Sequence, residues 1–362
     1  MNVSPTSKPV LKPDSKPPAI AGAAVALPPY RYSQDETITA LASFAGEEFR
    51  RFAANSGVAS RRLAMPLSRY RGLTGFTEAN EVYLDVALEL GERALLSALD
   101  TAGIKPAEVD IVFSTTVTGL AVPTLEARLA NRIGLRPDVK RVPLFGLGCV
   151  AGAAGVARMH DYLRAFRGQV AALLAVELCS LTIQRDDHSI ANLVASSLFG
   201  DGAAAVIATG ADRVSTGPTV PTVLATRSHL YPDTEDVMGW HIGSDGFRIV
   251  LSADVGTVVE KYLDQDVREF LADHGLATSD VARWICHPGG PRVIEAVENG
   301  LDLPDDALDH TRKSLRDNGN LSSVSVLDVL CATMAEPPPP GSFGLMIAMG
   351  PAFCSELVLL RW

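Results

Sequence analysis

The chain has 362 residues, of which 47% are hydrophobic and 20% charged, and its net charge is −10 with a pI near 5.2. This is the composition of an ordinary globular protein. The length suggests two domains or one large double unit, and the acidic charge argues against a general nucleic-acid binder. Five cysteines without CxxC spacing predict neither a disulfide framework nor a zinc site, and they fit a reducing, cytoplasmic compartment. No apolar run approaches the ~20 residues that span a bilayer, so no membrane span is expected.

The first part of the chain alternates strand and helix patterns. Residues 1–18 carry lysines and prolines without the apolar segment of a signal peptide, and they predict a disordered leader. An apolar run at 19–27 predicts the first strand, and apolar spacing at 33–52 and 78–102 predicts two helices. Between these helices lies a basic patch that contains Arg61 and Arg62. It is either a solvated surface or a contact for the phosphates of a cofactor.

The stretch VPLFGLGCVAGAAG, from Val142 to Gly155, indicates a reactive site. It follows a predicted strand at 111–116 and a predicted helix at 124–133, and its pattern is that of a strand, a tight glycine turn and a buried helix. Cys149 would stand at the N-terminus of that helix, beside free N–H groups and the positive end of the helix dipole. Both favour the thiolate, which is the nucleophilic form. The alternative is that Cys149 is simply a small buried residue, as most free cysteines are.

The later part of the chain repeats the layout of the earlier part. Strand patterns at 170–177 and 203–208 are followed by a segment rich in Gly, Pro and Thr, so we expect a first half at 19–215 and a second at 216–362. ALLSALDTAGIKPAEVDIVFSTTVTG and VREFLADHGLATSDVARWICHPGG each contain a helix, a glycine, a loop with an acidic residue, a strand and a polar loop. This repeat suggests an internal duplication. The alternation predicts α/β layers with sites at the carboxyl ends of strands.

The second half supplies two candidate partners for the cysteine. His287 follows a predicted strand at 282–286 and is held by the rigid turn PGGP, which favours a functional role over that of an ordinary structural histidine. Asn320, in DNGNLSS, precedes a predicted helix at 324–334. Alone it suits a helix cap; together with Cys149 and His287 it suits an oxyanion contact. The order Cys, His, Asn is also that of papain-like proteases, but Val150 follows the cysteine where those enzymes have an aromatic residue.

Taken together, these stretches resemble type III polyketide synthases, the chalcone-synthase-like branch of the thiolase superfamily. The resemblance rests on GLGCVAGAAG, VELCSLT, SLFGDGAAAV, HPGGP, DNGNLSS and GLMIAMGPAFCSELVLLRW, and the QRDD segment is similar to bacterial members. It implies a five-layered αβαβα thiolase fold that is built from two duplicated halves and works as a homodimer. It also implies that an acyl-CoA starter is loaded, extended by decarboxylative condensation with malonyl-CoA, and cyclised. No metal or redox cofactor is implied, since CoA thioesters are the substrates.

The resemblance also implies roles for individual residues. Cys149 matches the acyl-carrying nucleophile, and His287 with Asn320 matches the pair that stabilises the thioester oxyanion and the enolate. Phe199 matches the phenylalanine between the CoA tunnel and the cavity, and Val122 matches a residue that closes the cavity of the partner subunit. Positions that match the cavity lining are Thr118, Cys179, Thr182, Gly239 and Ser322, and those that match the CoA-phosphate region are Arg61 and Arg62.

The cavity positions also bear on the product. The family's Gly-x-Gly-Pro-Gly loop is replaced by AMGPA at 348–352, which predicts a stiffer or displaced cavity floor. Small residues at the cavity positions leave room for a long aliphatic starter, so the sequence favours a long-chain alkylpyrone or alkylresorcinol, with a tetrahydroxynaphthalene or phloroglucinol-type product as the alternative. A ketoacyl-ACP synthase III-like enzyme would share Cys, His and Asn, but its motifs differ from HPGGP and GNLSS. An inactive scaffold is opposed by the intact Cys149, His287 and Asn320.

Overall fold

The computed structural model describes residues 16–213, 220–252 and 255–362. The predicted leader at 1–18 lies outside the described residues except for its last three positions. The strands are β1 (Ala19–Ala26), β2 (Tyr30–Ser33), β3 (Ser60–Leu63), β4 (Ile111–Thr115), β5 (Lys140–Leu144), β6 (Val170–Leu178), β7 (Asp201–Thr209), β8 (Thr222–Leu230), β9 (Met238–Gly243), β10 (Gly246–Leu251), β11 (Val281–Cys286), β12 (Phe343–Gly350) and β13 (Cys354–Arg361). The helices are α1 (Gln34–Ala54), α2 (Leu67–Tyr70), α3 (Phe76–Ala102), α4 (Leu125–Ile133), α5 (Ala151–Ala165), α6 (Ile190–Leu198), α7 (Val255–Ala272), α8 (Pro291–Leu301), α9 (Asp309–Asn318) and α10 (Ser323–Ala335).

Local sequence signals set the ends of several elements. α1 begins after Ser33, whose side chain accepts a hydrogen bond from Glu36 N while the Glu36 side chain accepts one from Ser33 N. This capping box satisfies donors that the first helical turn leaves free. α4 ends at Gly134, which takes the left-handed conformation that closes many helices. β6 is buried along its whole length, which explains why its sequence is an apolar run interrupted by Glu177.

The two halves share one sheet topology. The first half has the strand order β5-β4-β6-β7-β1, and the second has β11-β12-β13-β8. In both halves, one parallel pair of strands is followed by two antiparallel pairs. In the first half β4 is parallel to β6, and the pairs β6–β7 and β7–β1 are antiparallel. In the second half β11 is parallel to β12, and the pairs β12–β13 and β13–β8 are antiparallel. The halves join through the pair Ala19 and Thr222, which gives one nine-stranded order. The second half has no counterpart of β5 among its described strands.

Five layers follow from how the apolar faces pack. α5 and α10 lie between the sheets of the two halves, and their residues, such as Val156 and Leu327, belong to one core with inward residues of both sheets. α3 and α4 cover the outer face of the first sheet, and α7 and α8 cover the outer face of the second. The predicted αβαβα fold is therefore confirmed. Among the described residues, no helix is long and apolar enough to cross a membrane.

The two central helices approach each other closely at their first turns. A Cβ atom at Gly152 of α5 would lie 2.3 Å from Ser323 O and 2.6 Å from a methyl group of Val326, both in α10. Only glycine fits this contact. The Ala/Gly run that follows the cysteine thus brings the beginnings of α5 and α10 together, and the candidate site lies at that junction.

Candidate active site

The turn that carries the cysteine connects β5 to α5, as the sequence predicts. Gly148–Val150 form a short 3₁₀ turn and α5 begins at Ala151, so Cys149 lies at the start of a helical segment. Gly148 has φ +54°, and a side chain there would come within 2.8 Å of the Pro351 ring, so the turn requires glycine. Cys149 is partly exposed, whereas Gly148 and Val150 are buried. Cys149 is therefore held in a rigid turn at the start of the helical segment.

The thiol contacts the beginning of the second central helix. Cys149 Sγ lies 3.7 Å from Ser322 Oγ, and Ser322 immediately precedes α10. Two helix N-termini therefore meet at the sulfur, and the positive ends of both dipoles favour negative charge there. Ser322 has φ 52°, a conformation that is uncommon for a residue with a side chain and that is found most often at functional sites.

Glu177, to which the sequence motifs assign no role, connects the two halves of the site. It is fully buried near the end of β6. Oε2 accepts hydrogen bonds from Thr118 Oγ1 at 2.9 Å and from Val117 N at 3.1 Å. Oε1 accepts them from Ser323 Oγ at 2.6 Å and from Ser322 Oγ at 3.4 Å. The signal available in the sequence was an acidic residue within an apolar strand, because a buried carboxylate must find donors.

Asn320 contacts the turn that follows β11 and carries His287. The His287 side chain is buried, with 4% of the residue exposed, and its Nδ1 has no hydrogen-bond partner among the described groups. Asn320 Nδ2 donates to Gly289 O at 3.3 Å, within the turn after His287. Asn320 Oδ1 accepts a hydrogen bond from Ser322 N at 2.8 Å. The N-cap of α10 is Ser322, so Asn320 does not serve as the helix cap that its sequence context also allowed. Through Ser322, the amide of Asn320 is tied to the residue that contacts Cys149.

Burial sets the charge state of these groups in the free protein. It raises the pKa of Cys149 to about 12, and the nearby Glu177 carboxylate adds to this rise. It also lowers the pKa of His287 to about 4 and raises the pKa of Glu177 to about 7. In the free protein the Cys149 thiol and the His287 imidazole are therefore both neutral. The thiolate that the helix N-terminus predicts is not favoured, because the desolvation of a charged sulfur outweighs the helix dipole. A neutral imidazole is the form that can accept a thiol proton.

A small cavity adjoins this region. It holds about 10 Å³, room for about one water molecule. Three of the predicted positions line it: Cys179, Thr182 and Phe199. The other lining residues are Ser180, Ile183, Asn192, Ala195, Ser196, Trp240 and Ile249. Gly239 is not among these residues; it precedes Trp240, which lines the cavity, on β9. Its place in the substrate cavity stays a prediction.

The structure places the two predicted CoA contacts in different surroundings. Arg61 is 1% exposed, and its guanidinium donates to three main-chain carbonyls at the end of α6. Arg62 donates to Pro28 O at 3.1 Å and lines a surface groove. Arg61 is therefore closed to phosphate, and the CoA contact of Arg62 stays a prediction. A basic run has the same sequence signature whether it faces solvent or internal carbonyls, so spacing alone could not separate the two.

Two further predicted positions lie at the margin of the site. Val122 is 94% exposed, in the loop between β4 and α4, and it does not line the cavity of its own chain. The AMGPA loop after β12 packs against the nucleophile turn, since a Cβ at Gly350 would lie 2.6 Å from Leu147 O. Ala352 in this loop has φ 55°, so an alanine takes up a conformation that suits glycine.

Comparisons with known proteins cover both halves. The sequence profile for the N-terminal domain of chalcone and stilbene synthases matches residues 64–213, and the profile for their C-terminal domain matches residues 222–362. A 1,3,6,8-tetrahydroxynaphthalene synthase of Streptomyces peucetius subsp. caesius is 53% identical over 95% of this chain and 93% of the relative. A putative chalcone synthase of Bacillus subtilis (strain 168) is 37% identical over 85% of this chain and 87% of the relative.

A solved structure agrees with these matches. The 1,3,6,8-tetrahydroxynaphthalene synthase of Streptomyces coelicolor A3(2), a bacterial type III polyketide synthase, has a TM-score of 0.89 at 29% identity, over 95% of this chain and 99% of that one. Fold, sequence profiles and relatives all agree with the resemblance that the motifs carry. The chain therefore belongs to the chalcone and stilbene synthase family: it is a type III polyketide synthase, an acyltransferase that acts on CoA thioesters by decarboxylative condensation.

Proposed function

We propose that this enzyme uses malonyl-CoA as both starter and extender and forms 1,3,6,8-tetrahydroxynaphthalene or a closely similar product. The observation that carries the proposal is the 53% identity to a 1,3,6,8-tetrahydroxynaphthalene synthase over 95% of the chain. It favours the alternative over the long-chain alkylpyrone or alkylresorcinol that the sequence motifs favour. The ten carbons of a naphthalene correspond to five two-carbon units, which malonyl groups supply once each has lost carbon dioxide.

In the proposed mechanism, Cys149 carries the growing acyl chain. Its sulfur attacks the thioester carbonyl, the neutral imidazole of His287 accepts the thiol proton, and CoA leaves as a thiol. Decarboxylation of the next malonyl-CoA then places negative charge on its thioester oxygen. The Asn320 amide and a His287 N–H are the donors for that oxygen, and removal of one such donor typically costs about 3 kcal/mol in the barrier. The enolate carbon attacks the acyl group on Cys149, which releases the sulfur for the next transfer.

Asn320 is poised for this role by its present hydrogen bonds. Its Nδ2 donates to Gly289 O at 3.3 Å, a long contact that an oxyanion could replace, while Oδ1 stays fixed by Ser322 N at 2.8 Å. The amide is thus held at one end and can exchange its partner at the other. Glu177 Oε1 accepts hydrogen bonds from the side chains of Ser322 and Ser323 and so holds both residues in place. These contacts support a preorganised donor, which is the form of electrostatic stabilisation that enzymes use.

We further propose that the enzyme is a homodimer formed at β5. This edge strand pairs with β4 on one side and has no strand partner on the other among the described residues. It is mostly exposed, and Phe145 directly after it is 51% exposed. An open, partly apolar edge is a surface on which a second copy can add. Val122, at 94% exposure, would then be available to the partner's cavity.

The five unpaired cysteines support a reducing, cytoplasmic setting.

Incubation of the purified protein with malonyl-CoA, alone and with acyl-CoAs of increasing chain length, followed by mass spectrometry, tests the proposed substrate. We expect a naphthalene product from malonyl-CoA alone, unchanged in amount when long acyl-CoAs are added. Pyrones or resorcinols with long tails as the main products would overturn the proposal in favour of the long-chain alternative. A single-ring product from malonyl-CoA alone would keep the substrate and replace the product by a phloroglucinol type.

A further inference from the structure

We infer that Arg61 is a positioning residue that holds the proposed gate, Phe199, and the proposed oxyanion donor, Asn320, in one fixed arrangement. The inference rests on the proposed roles of Phe199 and Asn320. Arg61 lies on β3, 135 positions or more before the carbonyl groups that it binds. It is 1% exposed and therefore closed to ligands from solvent. Its function has to be sought in the groups that it touches.

Arg61 completes the hydrogen bonding at the C-terminus of α6. Its Nη1 donates to Ser196 O at 2.7 Å and to Phe199 O at 2.9 Å, and its Nη2 donates to Ser197 O at 2.7 Å and to the Gln34 side chain. The last carbonyls of a helix have no partner within the helix. A guanidinium with two forked nitrogens can satisfy several of them at once and also matches the negative end of the helix dipole. The backbone of Phe199 is thereby fixed, so that its ring can move while its Cα does not.

The same backbone holds Asn320. Asn320 N donates to Leu198 O at 2.9 Å, and Gly200 N donates to Asn320 O at 2.9 Å, so Phe199 and Asn320 form a parallel β-bridge. A displacement of the α6 terminus therefore displaces Asn320. β3 also binds the segment before Asn320, because Ser60 Oγ donates to Asp317 O at 2.9 Å. The short strand β3 thus binds both segments of the bridge: Ser60 binds the segment before Asn320, and Arg61 binds the segment of Phe199.

The buried charge of Arg61 is compensated nearby. The carboxylate of Asp201 lies close enough to oppose the fall in the Arg61 pKa that burial causes, and that pKa stays at about 10, so the guanidinium is charged at neutral pH. Asp201 itself accepts hydrogen bonds from Ala64 N at 2.6 Å and Ser180 N at 2.8 Å. Burying these two opposite charges costs desolvation energy, so they are a weak source of stability. The position of the guanidinium against the backbone of Phe199 accounts for a charge that a simple apolar core would not need.

The test compares Arg61→Lys with Arg268→Lys, a control in α7 whose guanidinium also binds a main-chain carbonyl, Gly300 O at 3.2 Å, on the outer side of the second sheet. A lysine keeps the charge but cannot bind three carbonyls in a planar fork. We expect Arg61→Lys to lower kcat for product formation from malonyl-CoA by about ten- to a hundredfold, the effect typical of a small misplacement of a catalytic group, with KM changed by less than about threefold. Arg268→Lys should stay within about twofold of wild type. Acylation of Cys149, followed by intact-protein mass, should persist in both variants.

Three outcomes are decisive. A lower melting temperature of Arg61→Lys with wild-type kcat would overturn the inference, because a purely structural role predicts that pattern. If Arg61→Lys does not fold, Gln34→Ala takes its place: it removes one acceptor of Arg61 and keeps the guanidinium. It should lower kcat by about two- to fivefold, and an unchanged kcat would likewise overturn the inference. If wild type forms nothing from malonyl-CoA but extends an acyl-CoA, the proposed function is wrong. The inference about Arg61 is then judged by the same kcat comparison of the variants, with that acyl-CoA as the substrate.

Discussion

Cys149 shares its surroundings with other thiols, and a test of its role must separate them. Burial raises the pKa of Cys149, and the charges of Glu177 and of Cys354, the first residue of β13, raise it further. We expect Cys149→Ala to abolish the acyl-enzyme that forms with malonyl-CoA, measured as a mass increase of the intact protein, because no other thiol lies at the start of both central helices. Cys354→Ala should still acylate. Label that persists on another cysteine in Cys149→Ala would mean that the nucleophile is assigned wrongly.

Glu177 gives the protein a pH-dependent stability that a single substitution can reveal. Burial raises the pKa of Glu177 from 4.5 to about 7, so its protonated form is favoured in the fold. Its contribution is fully present below pH 4.5 and is lost as pH rises through about 7, with a total of about 3 kcal/mol. Glu177→Gln has no charge to bury. In urea unfolding, the free energy of unfolding of the variant relative to wild type should therefore increase from pH 5 to pH 8. An equal difference at both pH values would contradict this.

At the level of single residues, the sequence could identify groups whose neighbours along the chain define their role. Cys149 in its glycine turn and His287 at its strand end are of this kind, and the structure brings both to one region through Ser322 and Asn320. Arg61 could not be understood this way, because the carbonyls that it binds lie 135 or more positions away. Glu177 could be noticed as an acidic residue in an apolar strand, but its donors could not be predicted. They come from two separate segments, 117–118 and 322–323, and only the fold brings them together.

The contact between α5 and α10 makes its own prediction. Gly152→Ala would place a methyl group 2.3 Å from Ser323 O, so the helices must separate. We expect a loss of about 1–3 kcal/mol in the free energy of unfolding, measured in urea, as is typical of overpacking, together with reduced activity because the Cys149–Ser322 contact lengthens. Gly256→Ala in α7 is the matched control, since a Cβ there meets nothing within 4 Å. Its stability should be unchanged or higher by up to about 1 kcal/mol. Equal losses in both variants would show that the close approach does not matter.

Buried strands were predictable, and the hairpin at the small cavity was not. The predicted strands at 170–177 and 282–286 agree within two residues with β6 and β11, because both strands contain a run of buried apolar residues. β9 and β10 form a separate two-stranded sheet that is half exposed, and their sequence has neither a clean alternation nor a motif. Trp240 on β9 therefore went unrecognised as a residue that lines the space beside Cys179 and Thr182.

For the molecule as a whole, the proposed dimer has a direct test. One chain has a mass of 38.4 kDa, and we expect light scattering after gel filtration to give about twice that value at micromolar concentration. Phe145→Glu should shift the protein toward monomers and lower its activity, because a charge is introduced into the proposed interface and the partner's Val122 is lost from the cavity. Ile190→Glu is the control, since Ile190 is 64% exposed at the start of α6, away from β5. A wild-type mass of one chain would refute the dimer.

The internal duplication was predictable at this scale because each half repeats a helix, a glycine, a loop and a strand with a polar end. Its imperfection was not predictable. The first half carries β5 as an extra strand at its margin, and the second half has no equivalent among the described residues.

That missing strand limits how many copies can associate. If both margins of the molecule offered a free strand of the same kind, each copy could recruit two neighbours, and growth would continue into fibres. Here the opposite margin is β11, which is largely buried, so only one side is available. In the proposed dimer, a contact of β5 with β5 would use up that side in both participants, so the stoichiometry would stop at two.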